Sequence, residues 1–397
     1  MAKFKDICTK IGSGATPKGG KEAYCEDGIS LIRSQNVLDF AFSAGGLAYI
    51  NELQAEKLKN VIVEEDDVLL NITGDSVARA CRVDKKYLPA RVNQHVCIIR
   101  ADSSKAIPSY LLYYLQLNKE YLLQLASGGA TRNALTKDMI NNLELELPTI
   151  EEQQKVVAVL DDIQKKIDFN NAINENLDQQ IESILLAMFN SAKTDCVRLG
   201  DYLYIKGRIG WKGLKKDEYL DQSKYRIING ESLTKSGVDW LKAGYISKNR
   251  YIESPEIMLK EGDILLSKDG TIGKIGYIDS LETHATVASG IFVIRNIKPE
   301  IISTTFIYYL LKSRLFKGFI AARTEGSVIP HLYQKDFMQF EFPLPSSDEM
   351  KAFDAITKPM FSMIIGNLQE NQKLSRLRDE LLPKLMSGEI DISITDL

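Results

Sequence analysis

The side chains of this 397-residue chain best suited to chemistry are hydrogen-bonding groups in loops rather than titratable groups in a catalytic cluster. In the first half they are Arg33, Ser34, Gln35 and Asn36; Asn71, Thr73, Asp75, Ser76 and Arg79; Arg91, Asn93 and Gln94; and Thr131, Arg132 and Asn133. In the second half they are Arg208 and Lys212; Asn229; Lys268, Asp269, Thr271 and Lys274; and Arg323, Thr324, Ser327 and His331. Arginines and lysines of this kind suit phosphates, whereas Gln35, Asn36, Asn93, Gln94 and Asn133 suit base edges. Each of them alone also reads as an ordinary turn residue, so only part of the set is expected at a nucleic acid.

Other chemistry is poorly supplied. The only histidines are His95, His284 and His331, far apart and without Cys or His at ligand spacing, so a structural metal site is not expected. Five cysteines (Cys8, Cys25, Cys81, Cys97, Cys196) are scattered and odd in number, as in a reducing cytoplasm. Gly12–Lys21 (GSGATPKGGK) and Asp269–Lys274 (DGTIGK) do not fit the Walker spacing and read as loops. H-E-x-x-H, G-x-S-x-G, G-x-G-x-x-G after a strand, and the N-P-P-[FY] or D-P-P-Y motif of adenine methyltransferases are all missing. Catalysis is not expected.

The elements that must position these loops come in duplicate. VEEDDVLL (Val63–Leu70) matches LKEGDILL (Leu259–Leu266), YYL at Tyr113–Leu115 matches YYL at Tyr308–Leu310, and KDM (Lys137–Met139) matches KDF (Lys335–Phe337). LELELP ending at Pro148 matches FEFPLP ending at Pro345. Four matches in one order at nearly constant offset indicate a tandem duplication. In each half, short β-rich runs such as VCIIR (Val96–Arg100) and IFVIR (Ile291–Arg295) alternate with polar loops, a helical pattern follows, and a long polar-rich helix closes the repeat.

The first long helix starts at a capping box, Thr149 with Glu152. Its apolar positions Val156, Leu160, Ile163, Ile167, Leu177, Ile181, Ile184 and Met188 mark a single packed seam, interrupted in register by Asn170 and Asn174. The second, from about Asp348 to Met386, carries Met360, Ile364, Leu374, Leu381 and Leu385, interrupted by Asn367 and Asn371. These asparagines are either solvated on a bent helix or meet across antiparallel helices and fix their register. In the second case ~40 residues at ~1.5 Å each give a spacer of ~60 Å, or roughly 17 base pairs.

The expected class is therefore α+β: two similar α/β domains, 1–148 and 194–346, separated by two long antiparallel spacer helices, 149–193 and 347–397, as a pseudo-twofold tandem repeat. The four segments carry net charges of 0, +4, −4 and −3 in that order. The acidic surplus thus lies in the helices, which leaves room for a basic face on each domain. Hydrophobic residues are 44% and charged residues 26%, ordinary for a folded chain. No apolar run reaches membrane-spanning length, and the first residues lack a signal-peptide pattern, so a cytoplasmic protein is expected.

Leu147–Ile163 (LPTIEEQQKVVAVLDDI), Phe342–Phe353 (FPLPSSDEMKAF) and above all Leu381–Ile390 (LLPKLMSGEI) resemble the conserved regions of type I restriction–modification specificity subunits. Phe4–Pro17 and Val197–Gly210 are similar to the starts of that family's target-recognition domains. The resemblance implies a non-catalytic subunit that binds a bipartite, asymmetric site on double-stranded DNA. It also implies two modification subunits as partners, which methylate adenine with S-adenosylmethionine, and in some assemblies restriction subunits that use ATP with Mg. No cofactor is implied in this chain. Ser346–Met350 (SSDEM) departs from the E-Q at Glu152–Gln153, which implies that docking on the second helix differs. A two-domain protein-interaction scaffold without DNA binding is the alternative, and a stand-alone DNA-modifying enzyme is a third reading that the missing motifs disfavour.

Overall fold

A strand buried on both faces needs an unbroken apolar run, and the VLL and ILL ends of the two matched motifs supply one each. In the computed structural model, which describes residues 1–128, 133–191, 195–209, 213–234, 237–324 and 331–390, these runs form the strands Val68–Asn71 and Ile264–Ser267, buried at every position. The chain divides into two compact units: Met1–Asp168 with Asn371–Leu397, and Phe169–Glu370.

In unit 1, Val68–Asn71 lies inside an antiparallel sheet of order Cys8–Ser13, Val96–Ala101, Val68–Asn71, Ala80–Arg82. Val68 and Leu70 share a core with Tyr110, Leu111 and Leu115 of the helix Pro108–Leu117. Leu69 joins a second core with Leu31, Ile32 and Val92. Those residues belong to a second sheet, of order Ala48–Ile50, Ile29–Ile32, Ala90–Val92, Ile62–Val63, in which Ile29–Ile32 and Ala90–Val92 pair in parallel. Successive side chains of the central strand thus serve two layers, as the two-residue period of a strand requires.

Unit 2 repeats this plan. Its first sheet runs Leu203–Gly207, Ile291–Asn296, Ile264–Ser267, Ile275–Tyr277, and its second Gly244–Tyr245, Tyr225–Ile228, His284–Val287. Tyr225–Ile228 and His284–Val287 again pair in parallel. Ile264 and Leu266 pack with Phe306, Ile307 and Leu310, and Leu265 with Ile228, Val287 and Val293. Among the described residues, the edge strand Ile62–Val63 has no counterpart in the three-stranded second sheet of unit 2. The duplication seen in the sequence is a duplication of fold, and the class is α+β.

The matched motifs also share a polar core element. Asp67 accepts from Arg100 Nε (2.7 Å) and Nη2 (2.8 Å) and from the Glu64 amide (2.7 Å). Asp263 accepts from Arg295 Nε (2.6 Å) and Nη2 (2.9 Å) and from the Lys260 amide (2.8 Å). A bidentate guanidinium plus a turn amide fills the acceptor sites of a carboxylate that water cannot reach. This is why an aspartate precedes each apolar run and an arginine ends VCIIR and IFVIR.

The two long helices are Ile150–Ser191 and Ser347–Met386. Within unit 1 they run antiparallel: Val156 and Leu160 share a core with Leu382 and Leu385, and Arg378 Nη1 donates to Gln164 Oε1 (2.7 Å). Within unit 2 they do the same. Asn170 Nδ2 donates to Glu370 Oε2 (2.7 Å), Asn367 Nδ2 to Asn174 Oδ1 (2.8 Å), and Asn174 Nδ2 to the Ile364 carbonyl (3.4 Å). Asn170, Asn174 and Asn371 are buried, and Asn367 is half-buried. A polar pair at a seam position is satisfied in one register only, and Asn174 with Asn367 is such a pair. Among the described residues, no helix is long and apolar enough to cross a membrane.

Both helices begin at a capping box. The Thr149 amide donates to Glu152 Oε2 (2.8 Å) and the Glu152 amide to Thr149 Oγ1 (3.3 Å). The Ser346 amide donates to Glu349 Oε2 (2.8 Å) and the Glu349 amide to Ser346 Oγ (3.3 Å). The departure of SSDEM from E-Q therefore narrows to Met350 in place of Gln153, because Glu349 keeps the capping role. Gln153 is fully buried. It accepts from the Ile107 amide (2.9 Å) and donates to the Lys105 (3.0 Å) and Pro148 (2.9 Å) carbonyls, tying the long helix to the start of Pro108–Leu117. Its amide is occupied within unit 1 and is not offered to a partner. Gln153→Leu is expected to cost about 3 kcal/mol by leaving these groups unpaired. Hydrogen exchange at the Ile107 amide should rise by about two orders of magnitude.

Candidate nucleic-acid interface

The loops that leave the strands of unit 1 are tied together by backbone hydrogen bonds. The Gly14 amide donates to the Asn93 carbonyl (3.1 Å), Asn93 to Ile32 (3.0 Å), Ile72 to His95 (2.9 Å) and Gly74 to Asn133 (3.2 Å). Asn71 Nδ2 donates to the Ser34 (2.9 Å) and Val37 (3.2 Å) carbonyls. Four of the sequence-chosen clusters, around residues 34, 73, 93 and 133, thus converge on one end of the unit. A close approach makes this possible: a Cβ on Gly14 would lie 1.7 Å from the Val92 carbonyl oxygen.

The side chains in these loops divide into two groups. Asn36 is fully buried; its Oδ1 accepts from the Arg33 amide (3.0 Å), and its Nδ2 donates to the Ser43 (2.9 Å) and Gly45 (3.3 Å) carbonyls. Arg91 is buried and donates to the Ala55 (3.1 Å) and Ala90 (3.0 Å) carbonyls; burial pulls its guanidinium below the ordinary range. Asn93 is buried too, and its Oδ1 accepts from the His95 amide (3.0 Å). Asn36 and Asn93 shape the loops from inside, whereas Arg91 lies on the strand Ala90–Val92 rather than in a loop and ties it to the helix Glu52–Lys57. Arg33 Nη2 (2.6 Å) and Gln35 Nε2 (2.9 Å) both donate to the Gly46 carbonyl from partly open positions, and Ser34 is half-buried.

At the surface, Asp75 and Asn133 are exposed and Arg79 is half-buried; among the described residues none of the three side chains has a hydrogen bond or ion pair. Beside them runs a chain of side-chain contacts. Thr16 Oγ1 donates to Gln94 Oε1, Gln94 Nε2 lies 2.9 Å from His95 Nε2, and His95 Nδ1 lies 2.5 Å from Thr73 Oγ1. Neither Thr16 nor His95 is among the loop residues that the sequence marks for hydrogen bonding to a ligand. Thr16 sits in a loop that reads as a linker, 78 positions from Gln94, and nothing local marks the pairing. Thr131 and Arg132 lie outside the described residues.

Unit 2 gathers its loops in the same way. The Lys268 amide donates to the Gly290 carbonyl (2.8 Å), Leu332 to Lys268 (2.9 Å) and Ala288 to Ile228 (2.8 Å). Lys274 Nζ donates to the Gly230 carbonyl (2.6 Å). Asn229 Oδ1 accepts from the Glu231 (2.9 Å) and Ser232 (3.0 Å) amides, closing a turn. Arg208 is buried and donates to the Val287 carbonyl (3.0 Å); burial, then the charge of Arg250, pulls its guanidinium below the ordinary range. Asp269 pairs with His331 Nδ1 and with Lys268 Nζ (3.1 Å). Thr271 is exposed. Arg323 is exposed and lies over the Phe319 ring, 3.6 Å from its centroid, on the helix Arg314–Thr324. Lys212, Ser327 and the Thr324 side chain lie outside the described residues.

The units therefore share a frame and differ in what it displays. Isolated bridges join Thr73 to Ala134 and Asp269 to His331, so Thr73 and Asp269 occupy matching places. Each meets a histidine, but from different segments: His95 in unit 1, His331 in unit 2, where Gly290 stands in the place of His95.

The sequence profile of the type I restriction modification DNA specificity domain matches twice, over residues 1–179 and 194–374. The chain belongs to this family. Another member, the MjaIX specificity subunit of a type I restriction enzyme from Methanocaldococcus jannaschii, is 24% identical, with 99% of this chain and 93% of the relative aligned. The HindI specificity subunit from Haemophilus influenzae is 20% identical over 91% of this chain and 94% of its own. The crystal structure of a type I restriction-modification S subunit from M. genitalium has a similar fold, with a TM-score of 0.53, 17% identity, and coverage of 99% and 96%. The two matches to the specificity domain fall one on each repeat, as the duplicated sheets do.

Proposed function

We propose that this chain is the DNA sequence-specificity subunit of a type I restriction–modification enzyme, each unit reading one half of a bipartite, asymmetric site. The observation that carries this is the pairing of a duplicated frame with unlike loop residues: Thr73 against Asp269, His95 against Gly290. Equal frames present loops equally, and unlike donors and acceptors select unlike bases. Residues 1–148 and 194–346 are the recognition domains, and the long helices set the gap between half-sites and dock two modification subunits. Exposed Phe169, Ile356, Met363 and Leu377 on those helices suit such docking. The subunit is itself non-catalytic and acts in the cytoplasm. S-adenosylmethionine belongs to the modification subunits, and ATP with Mg to restriction subunits where these join.

The test is competition binding by the full chain with its modification subunits. One duplex sequence should survive an excess of random DNA by about 10³-fold or more, with affinity falling steeply as salt rises. Equal affinity for every duplex at every salt concentration, with the modification subunits still bound, would favour the scaffold instead.

A further inference from the structure

We infer that Gln94 reads a base in unit 1, held by Thr16 and His95 so that its amide meets the major-groove edge of one adenine; this rests on the DNA-recognition reading above. Gln94 is exposed, yet both ends of its amide are engaged. An exposed glutamine ordinarily keeps its rotamer freedom and loses it only on binding. Here that ordering precedes the ligand, and it also decides which end of the amide is which. An amide nitrogen only donates, so His95 Nε2, 2.9 Å from Gln94 Nε2, is the acceptor. The ring proton then sits on Nδ1 and is donated to Thr73 Oγ1 at 2.5 Å. From the other end, Thr16 Oγ1 donates to Gln94 Oε1 and fixes the same orientation.

A primary amide has two N–H groups, and its oxygen has two lone pairs. His95 takes one N–H and Thr16 one lone pair, which leaves one donor and one acceptor. Adenine offers the complement in the major groove, the N7 acceptor beside the N6 amino donor. Guanine offers two acceptors there, and cytosine a single amino donor. Where unit 1 carries Gln94 and His95 after the strand Ala90–Val92, unit 2 carries Ser289 and Gly290 after His284–Val287. The second half-site is therefore read by other chemistry at this place.

The experiment uses the full chain with its modification subunits and a preferred duplex selected from a random pool. Each adenine of the duplex is replaced in turn by 7-deazaadenine, which lacks the N7 acceptor. One position, in one half-site, should cost the native chain about tenfold in affinity and cost Gln94→Ala nothing further. Gln94→Glu turns the donor into an acceptor and should move preference at that position towards cytosine. Thr73→Val leaves Gln94 in place but frees the His95 tautomer, and should narrow the discrimination of adenine from guanine at the same position only. Unchanged base preference at every position in Gln94→Ala and Gln94→Glu overturns the inference while leaving sequence-specific recognition intact. If the native chain shows no preference anywhere, the recognition reading fails and this inference falls with it.

Discussion

Asp263→Ala is expected to destabilise unit 2 by about 3–5 kcal/mol, the cost of breaking a buried ion pair from one side. Asp263 is 1% exposed and accepts three hydrogen bonds, two of them from Arg295. Without it, Arg295 keeps the Met258 carbonyl and the face of Tyr204, 5.2 Å from its centroid, but no carboxylate. The Lys260 amide loses its acceptor as well. The same change in unit 1, Asp67→Ala, should cost less, about 2–3 kcal/mol, because Arg100 retains the Glu64 carboxylate and the Ile62 carbonyl. Chemical unfolding with hydrogen exchange as a unit-specific probe distinguishes the two. Loss of under about 0.5 kcal/mol in Asp263→Ala would show that the pair is not a core element.

What the sequence displays and what it hides follow from the range of the interactions involved. VEEDDVLL and LKEGDILL stand out because one short segment carries both the buried aspartate and the two-faced apolar strand. The capping box at Thr149 lies within four consecutive residues, and the asparagines fall in the seam of a helix with a fixed period, so each is a local pattern. The parallel pairing of Ile29–Ile32 with Ala90–Val92 has no such trace, since its partners are distant and its register is set by packing.

The interface is legible only as a set of loops. Asn36, Arg91 and Arg208 have the composition of base or phosphate contacts, yet each is buried and satisfies backbone carbonyls from within: Asn36 those of a loop, Arg91 those of the helix Glu52–Lys57 and its own strand, Arg208 that of the strand His284–Val287. Exposure separates Gln94 and Asn133 from these three, and exposure depends on the tertiary fold. Likewise, the contact of Thr16 with Gln94 exists only because Gly14 lets two loops approach.

The central claim, that each repeat reads its own half of the site, is tested most directly by exchanging residues 1–148 for the corresponding segment of another family member. The graft should keep tyrosine and serine at positions 113 and 109, because both donate to Asp161 of the long helix (2.7 and 3.2 Å). Base preferences of the exchanged and native chains, each with the modification subunits, are then read from a random duplex pool. The account predicts that one half-site is replaced entirely while the other half-site and the gap between them stay as in the native chain. A change in both half-sites, or one contiguous motif without an indifferent gap, would contradict it.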